Sequence, residues 1–138
     1  MSYTEAEIYS QCTNLIYFID KYIQVIAEKD SRESTDSVHK LLSLDNINDT
    51  KNKSELIDSI NEDHDFINVM SKVELFLSKV NFSKRSTESA HKIFMNSCGE
   101  DFKRKKFSAR TLLFAKLFLE KVKAEATEAV KKEMNKSD

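Results

Sequence analysis

Across 138 residues the chain carries no proline and a single glycine, Gly99. These two residue types interrupt a helix at the greatest cost, roughly 3 and 1 kcal/mol respectively, and they supply most tight turns and strand ends. A chain that has nearly dispensed with them permits long helices and has little from which to build hairpins. The prediction is an all-α fold, one antiparallel helical bundle of five to six helices over residues 1–138. At this length about two-thirds of the unfolded surface is buried on folding, so a core can form without disulfide or metal.

Hydrophobic spacing locates the helices. Thr4-Glu5-Ala6-Glu7 reads as a capping box, and behind it Ile8, Cys12, Leu15, Ile19, Tyr22 and Ile26 recur at spacings of three and four, widened by Ile16, Ile23 and Ala27. This first helix is expected to run to about Asp30 and to hold the centre of the bundle. Tyr9, Phe18 and Val25 fall off the stripe, which predicts cover on more than one side. A short second helix is expected around Val38, Leu41, Leu42 and Leu44, then a mobile loop over residues 45–53. Ser54 caps a third segment with Leu56, Ile57 and Ile60, continuing or breaking near Asn61-Glu62-Asp63.

The period returns strongly from Phe66 to Val80, marking a fourth helix. Residues 81–86 supply a turn and cap. Ala90, Ile93, Phe94 and Cys98 mark a fifth helix, with Gly99 as its expected terminator. Phe102 onward is expected to begin the last long helix, carrying Phe107, Leu112, Leu113, Phe114, Leu117, Phe118 and Val122. Its tail, residues 124–138, is expected to project or fray.

The formal net charge of −1 hides an uneven layout. Residues 1–69 hold 6 Lys/Arg against 14 Asp/Glu, while residues 70–138 hold 16 against 9. The halves should attract, either as neighbouring helices of opposite sign or through a basic face offered to an acidic partner. Lys103-Arg104-Lys105-Lys106 concentrates that charge, in what the spacing places as the first turns of the last helix. Phosphate or anionic lipid would suit it, although no aromatic base platform is interleaved. Phe107, Phe114, Leu117 and Phe118 fit either a core or the floor of a groove for a partner helix.

No constellation for chemistry stands out. His39, His64 and His91 are scattered without metal-ligand spacing, and Asp63-His64-Asp65 reads as a solvated helix start. No serine sits in a nucleophile elbow, and one glycine cannot make a phosphate-cradling loop. The expectation is no enzyme, no metal, no cofactor and no small-molecule substrate. Cys12 and Cys98 read as reduced core thiols. The opening residues show no basic leader or cleavable apolar stretch, and no uncharged apolar run approaches the ~18 residues of a membrane span. A soluble, cytoplasmic chain is expected.

Phe102-Lys103-Arg104-Lys105-Lys106-Phe107-Ser108-Ala109, followed by Leu112-Leu113-Phe114-Ala115, resembles the closing helix of the N-terminal domain of the Vta/LYST-interacting protein family. Lys21-Tyr22-Ile23-Gln24-Val25-Ile26-Ala27 looks like its Tyr-Tyr-x-x-Leu-Tyr-Ala segment. Leu75-Phe76-Leu77 with Lys84-Arg85 is similar to its Met-Phe-x-x-Ala-Asp-x-x-Asp-Arg stretch. Arg110 stands where the family prefers tryptophan, and Val80 replaces an acidic residue. The resemblance implies two packed MIT-like three-helix units that bind tail helices of ESCRT-III subunits in endosomal sorting and multivesicular-body formation, peripheral on endosomes. The family's dimerising, ATPase-activating region has no counterpart here, so that activity is not expected. The residues expected to contact a partner are Lys103, Arg104, Lys105 and Arg110 through charge and Phe107 as an apolar anchor. The rival reading is a basic-faced bundle that binds nucleic acid or anionic membrane.

Overall fold

Thr4 opens the first helix, α1 (Glu5–Glu28), with the reciprocal bonds of a capping box. The Glu7 N–H donates to Thr4 Oγ1 at 3.1 Å and the Thr4 N–H donates to Glu7 Oε1 at 2.9 Å. The computed structural model describes residues 3–28 and 51–136. Among them four further helices follow, α2 (Lys51–Glu62), α3 (His64–Lys79), α4 (Glu88–Arg104) and α5 (Ala109–Lys136), with no strand. The fold is an all-α bundle, and among the described residues no helix is long and apolar enough to cross a membrane.

The centre of the bundle is the pairing of α1 with α5, the most extensive contact between any two elements. The pair is antiparallel. Glu5 and Glu125 meet on one arginine, the Lys123 ammonium lies 5.2 Å from the Tyr9 ring, and Asp20 meets Lys116 at 2.7 Å. Ile8, Cys12, Leu15, Ile19, Ile23 and Ile26 are buried from α1, and Leu112, Ala115, Leu119, Val122 and Ala126 from α5. Each large aliphatic side chain so buried contributes roughly 1.5–3 kcal/mol, which is why the three-and-four spacing of α1 decides its orientation. The expected stripe is therefore realised, and burial reaches Ala126 with Ala129 and Val130 half-buried, so the projecting tail is packed well past residue 124.

The remaining helices complete the core around this pair. Phe66, Met70, Val73, Phe76 and Leu77 are buried from α3 and Phe94, Cys98 and Phe102 from α4. A continuous series of ring contacts runs Tyr22, Phe66, Phe107, Phe102, Phe94, Phe118, Phe82, His91, with centroids 4.1 to 5.9 Å apart. Such pairs contribute about 0.5–1.5 kcal/mol each beyond their buried area. They join α1, α3, both long turns, α4 and α5 into one core.

Several boundaries differ from the sequence reading. The helix expected around Val38–Leu44 and residues 45–50 of the expected loop lie outside the described residues. Lys51, Asn52 and Lys53, assigned to that loop, are helical, so Ser54 lies inside α2 rather than capping it. Once a turn anchored by Leu56, Ile57 and Ile60 exists, extending it backward through residues that are not breakers avoids a new nucleation cost. Asp63 ends α2 and caps α3, its carboxylate accepting from the Asp65 and Phe66 N–H groups at 2.8 and 3.3 Å. Tyr9, Phe18 and Val25 are not covered, being 41%, 44% and 45% exposed. Phe18 and Val25 lie on the side of α1 that faces α3, whereas Tyr9 sits beside Lys123 of α5. Ile93, assigned to the core stripe of α4, is 66% exposed.

Gly99 does not terminate a helix. It sits inside α4 with negative φ, because the buried stripe Phe94, Cys98, Phe102 continues across it at four-residue spacing. Burying Phe102 outweighs the roughly 1 kcal/mol that a mid-helix glycine costs. Phe102 thus closes α4 instead of opening the last helix, which starts seven residues later at Ala109. A Cβ built on Gly99 finds only Met95 Cε, at 4.0 Å. Gly99→Ala is expected to raise unfolding stability by about 0.5–1 kcal/mol in urea denaturation. A loss of stability would show that the position needs the absent side chain.

Candidate functional site

The basic run forms a corner between α4 and α5. Lys103 and Arg104 occupy the last turn of α4, where cations complement the carbonyl end of the helix. Lys105 then adopts the left-handed conformation, φ 56°, which closes the helix without glycine. That strain, roughly 1–2 kcal/mol for an L-residue, is offset by bonds on both sides. The Lys106 N–H donates to the Asp101 carbonyl at 3.1 Å. The Phe107 N–H donates to Asn61 Oδ1 at 2.7 Å, and Asn61 Nδ2 returns a bond to the Phe107 carbonyl at 2.9 Å. Asp101 Oδ2 accepts from the Ser108 N–H and the Thr111 hydroxyl, fixing the start of α5.

Of the five residues expected to contact a partner, four are exposed cations at this corner: Lys103, Arg104, Lys105 and Arg110. Lys103 and Arg104 reach the same Glu100 carboxylate at 3.5 and 3.9 Å, with side chains about three-quarters exposed. Pairs this open to water contribute little, so both cations remain available to an incoming anion. Phe107 is different. It is 3% exposed and packs edge-to-face on Phe66 and Phe102, so it belongs to the core and gives the corner no apolar anchor. The run lies at a helix end and turn, not in the first turns of a helix as its spacing had placed it.

An apolar surface exists elsewhere, along the trough between α1 and α3. Gln11, Asn14, Phe18, Lys21 and Val25 form one wall at spacings of three and four, and Asp65, Asn68 and Lys72 form the other. Leu15, Tyr22 and Val69 lie between them, and the trough encloses about 840 Å³. Lys21 is held on this wall with its ammonium 4.4 Å from the Tyr17 ring centroid and 5.7 Å from that of Phe18. Burial, assisted by Asp63 and Asp65, raises the Tyr22 hydroxyl above its ordinary pKa. The signal for this second stripe was present in the sequence as the off-stripe Phe18 and Val25. A smaller crevice of about 320 Å³ opens between α3 and α4 beside His91 and Met95.

The principal polar cluster was not visible in the sequence. Arg85, in the turn before α4, places Nη1 and Nη2 at 2.6 and 3.0 Å from the Glu5 carboxylate and Nε at 2.6 Å from Glu125 Oε1. Glu125 also accepts from Ser86 Oγ, Thr87 Oγ1 and the Thr87 N–H, so a carboxylate from α5 caps the start of α4. Hydrogen bonding to Glu5 raises the Arg85 pKa further. Burial pushes Glu125 up, but the hydrogen bonds from Ser86, Arg85 and Thr87 outweigh it and hold the carboxyl below its usual 4.5. Burial pushes the Cys12 thiol up to about 12 and raises Cys98 as well, so both stay protonated and unreactive.

Chemically, the described residues offer a cationic corner, a trough between α1 and α3 and a smaller apolar crevice between α3 and α4. Among the described residues no group of three or more His, Cys, Asp or Glu is placed to hold a metal ion. No protein-family model matches the chain, and no curated protein or solved structure matches it either.

The Arg85 cluster makes two predictions about stability. Arg85→Met is expected to cost about 2–3 kcal/mol, less than for a fully buried pair because the side chains of Arg85, Glu5 and Glu125 are 16%, 22% and 13% exposed. A change below 0.5 kcal/mol, an order-of-magnitude threshold for surface substitutions, would mean the cluster is only decorative. Because the folded-state pKa of Glu125 is depressed, its contribution is present above its unfolded value of 4.5 and lost as pH falls through the lower folded value. Glu125→Gln should flatten the stability profile below pH 4.5 in parallel urea titrations.

Proposed function

We propose that this chain is a non-enzymatic helical adaptor of the endosomal sorting and multivesicular-body pathway, binding C-terminal tail helices of ESCRT-III subunits from the cytoplasmic side of endosomes. The observation that carries the interaction reading is the trough between α1 and α3. Phe18 and Val25 stand 44% and 45% exposed on a helix whose other apolar face is fully used, so the exposure is not needed for the core. A helix laid between two helices is a recurring mode of peptide recognition, read by anchors at three- and four-residue spacing. The pathway itself is supported by the resemblance of residues 21–27, 75–85 and 102–115 to the Vta/LYST-interacting family.

The cationic corner supports the second reading, a bundle that binds nucleic acid or anionic membrane, because Lys103, Arg104, Lys105 and Arg110 are exposed there without an apolar anchor. The two readings differ in their dependence on salt. A helix held by apolar anchors loses little affinity when salt rises, whereas a polyanion held by released counterions loses it steeply. Titration of the whole chain with a panel of ESCRT-III tail peptides at physiological salt should find micromolar binding to one or more of them. The Lys103→Glu/Lys105→Glu variant should weaken that binding, reporting the corner's contribution. Failure of every tail to bind would end the pathway assignment. Steep loss of affinity with salt towards any polyanion would establish the rival in its place.

A further inference from the structure

We propose that the crevice between α3 and α4 binds a small arylalkylamine, of the size of tryptamine, whose ring carries an N–H or O–H donor. The ring sits among the apolar walls, its donor bonds to the imidazole of His91, and its ammonium pairs with the carboxylate of Glu74. The crevice shares no lining residue with the trough and none with the cationic corner, so the site is independent of the adaptor reading.

The crevice exists because α3 and α4 meet over little of their length, theirs being the least extensive of the principal helix pairings. Its floor is made by Leu77 and Val80 at the end of α3 and by Phe94 and Phe102 of α4, all of them buried. Phe94 is fixed there by Phe102 at 5.9 Å and by Phe118 of α5 at 5.2 Å between ring centroids. The space above this floor is about 320 Å³, at the small end of the roughly 300–1,000 Å³ that small-molecule sites occupy. That volume suits one ring system with a short arm. Met95, 41% exposed, forms the rim on α4, and its unbranched thioether can settle against a ring edge.

Two polar groups line this apolar space without hydrogen-bond or ion-pair partners of their own among the described residues. The His91 ring is stacked on Phe82, with centroids 4.1 Å apart and planes 13° apart, and lies 5.9 Å from Phe118, so its orientation is set by packing. Its side chain makes no hydrogen bond among the described residues. Since no buried side-chain nitrogen or oxygen there is left without one, the ring nitrogens reach open space. Burial holds the imidazole below its ordinary pKa, so near neutral pH one nitrogen offers a lone pair to a donor. Glu74 stands exposed on the α3 rim and makes no ion pair among the described residues. Ser78 beside it is already engaged, its hydroxyl donating to the Leu75 carbonyl at 2.6 Å. The formal charge of the lining is therefore one carboxylate, which favours a cation and disfavours fatty acids and nucleotides.

The test titrates the whole chain, labelled with nitrogen-15, with tryptamine and two relatives at neutral pH. Indole-3-propionate reverses the charge of the arm, and 1-methyltryptamine removes the ring donor. Tryptamine is expected to bind with a dissociation constant of about 0.1–1 mM and to shift the amides of Ser78, Val80, His91, Met95 and Phe102. It should bind about tenfold tighter than the acid and about fivefold tighter than the methylated amine. Glu74→Gln alters an exposed side chain, so it should leave the melting temperature unchanged while the preference over the acid falls to about twofold. His91→Phe keeps a ring stacked on Phe82 and removes the acceptor, so tryptamine and its methylated form should then bind equally.

No saturable shift up to about 5 mM tryptamine, or saturable shifts that leave Ser78, His91 and Met95 unmoved, would overturn the proposal. Equal affinity for the amine and the acid in the unaltered chain would remove the role of Glu74 and with it the choice of an amine. Equal affinity for tryptamine and 1-methyltryptamine would remove the bond to His91, and this comparison needs no variant to fold. ESCRT-III tails that bind or fail to bind leave these outcomes unchanged, because the tails and the amine are read at different residues.

Discussion

Everything in this bundle is hung on the seam between α1 and α5. A single face of α1, from Ile8 to Ile26, is buried almost completely, and opposite it Ala115 and Ala126 let the two backbones approach between larger residues such as Leu119 and Val122. Because this pair is antiparallel and long, it sets the axis along which α3 and α4 add Phe66, Phe76, Phe94 and Phe102 to the same core. Packing alone tolerates small slips between two helices. Arg85 does not, since one guanidinium must meet Glu5 near the start of α1 and Glu125 well along α5 at the same time. Apolar burial supplies the stability of the seam, and the arginine fixes its alignment.

That division also explains what the sequence made legible. The capping box at Thr4, the apolar face of α1, the stripe of α3 and the turn at residues 81–86 are local, and each was readable from residue types within a turn or two. The end of α4 was not, because the usual punctuation is displaced: the glycine lies inside the helix and a lysine takes the left-handed position. What stabilises Lys105 there is Asn61, 46 residues away from its partner Phe107 in sequence, and no local pattern reports it. Arg85 is hidden for the same reason, with partners 80 and 40 positions distant. For the candidate site, the cations of the corner were legible because charge on a surface needs no partner. Phe107 was misread as an anchor because an aromatic at helical spacing looks the same whether it faces a core or a groove.

On the adaptor reading the two surfaces would bring different physics to a partner. Cations at the corner act at a distance through water and are screened within about 8–10 Å at physiological salt, so they influence encounter more than residence. On the adaptor reading the trough would act only on contact, through desolvation of Phe18, Val25 and Val69, and would govern how long a partner stays. Phe107 links them structurally: its ring packs on Phe66, which in turn packs on Tyr22 in the trough, while its backbone closes the corner through Asn61.

The pairing of the first described helix with the last has a consequence for how the chain comes to be folded in a cell. A nascent polypeptide leaves the ribosome from its N-terminal end at roughly 5–20 residues per second. The apolar face of α1 emerges early, but its principal partner, from Leu112 to Ala126, is made about a hundred residues later. Throughout that interval Ile8, Ile19 and Ile23 lack their principal native cover, since α2 and α3 pack on α1 less extensively than α5 does. The core must therefore close after synthesis of α5 rather than during it, and the newly made chain passes through a stage in which a strongly amphipathic helix is open to chaperones and to aggregation.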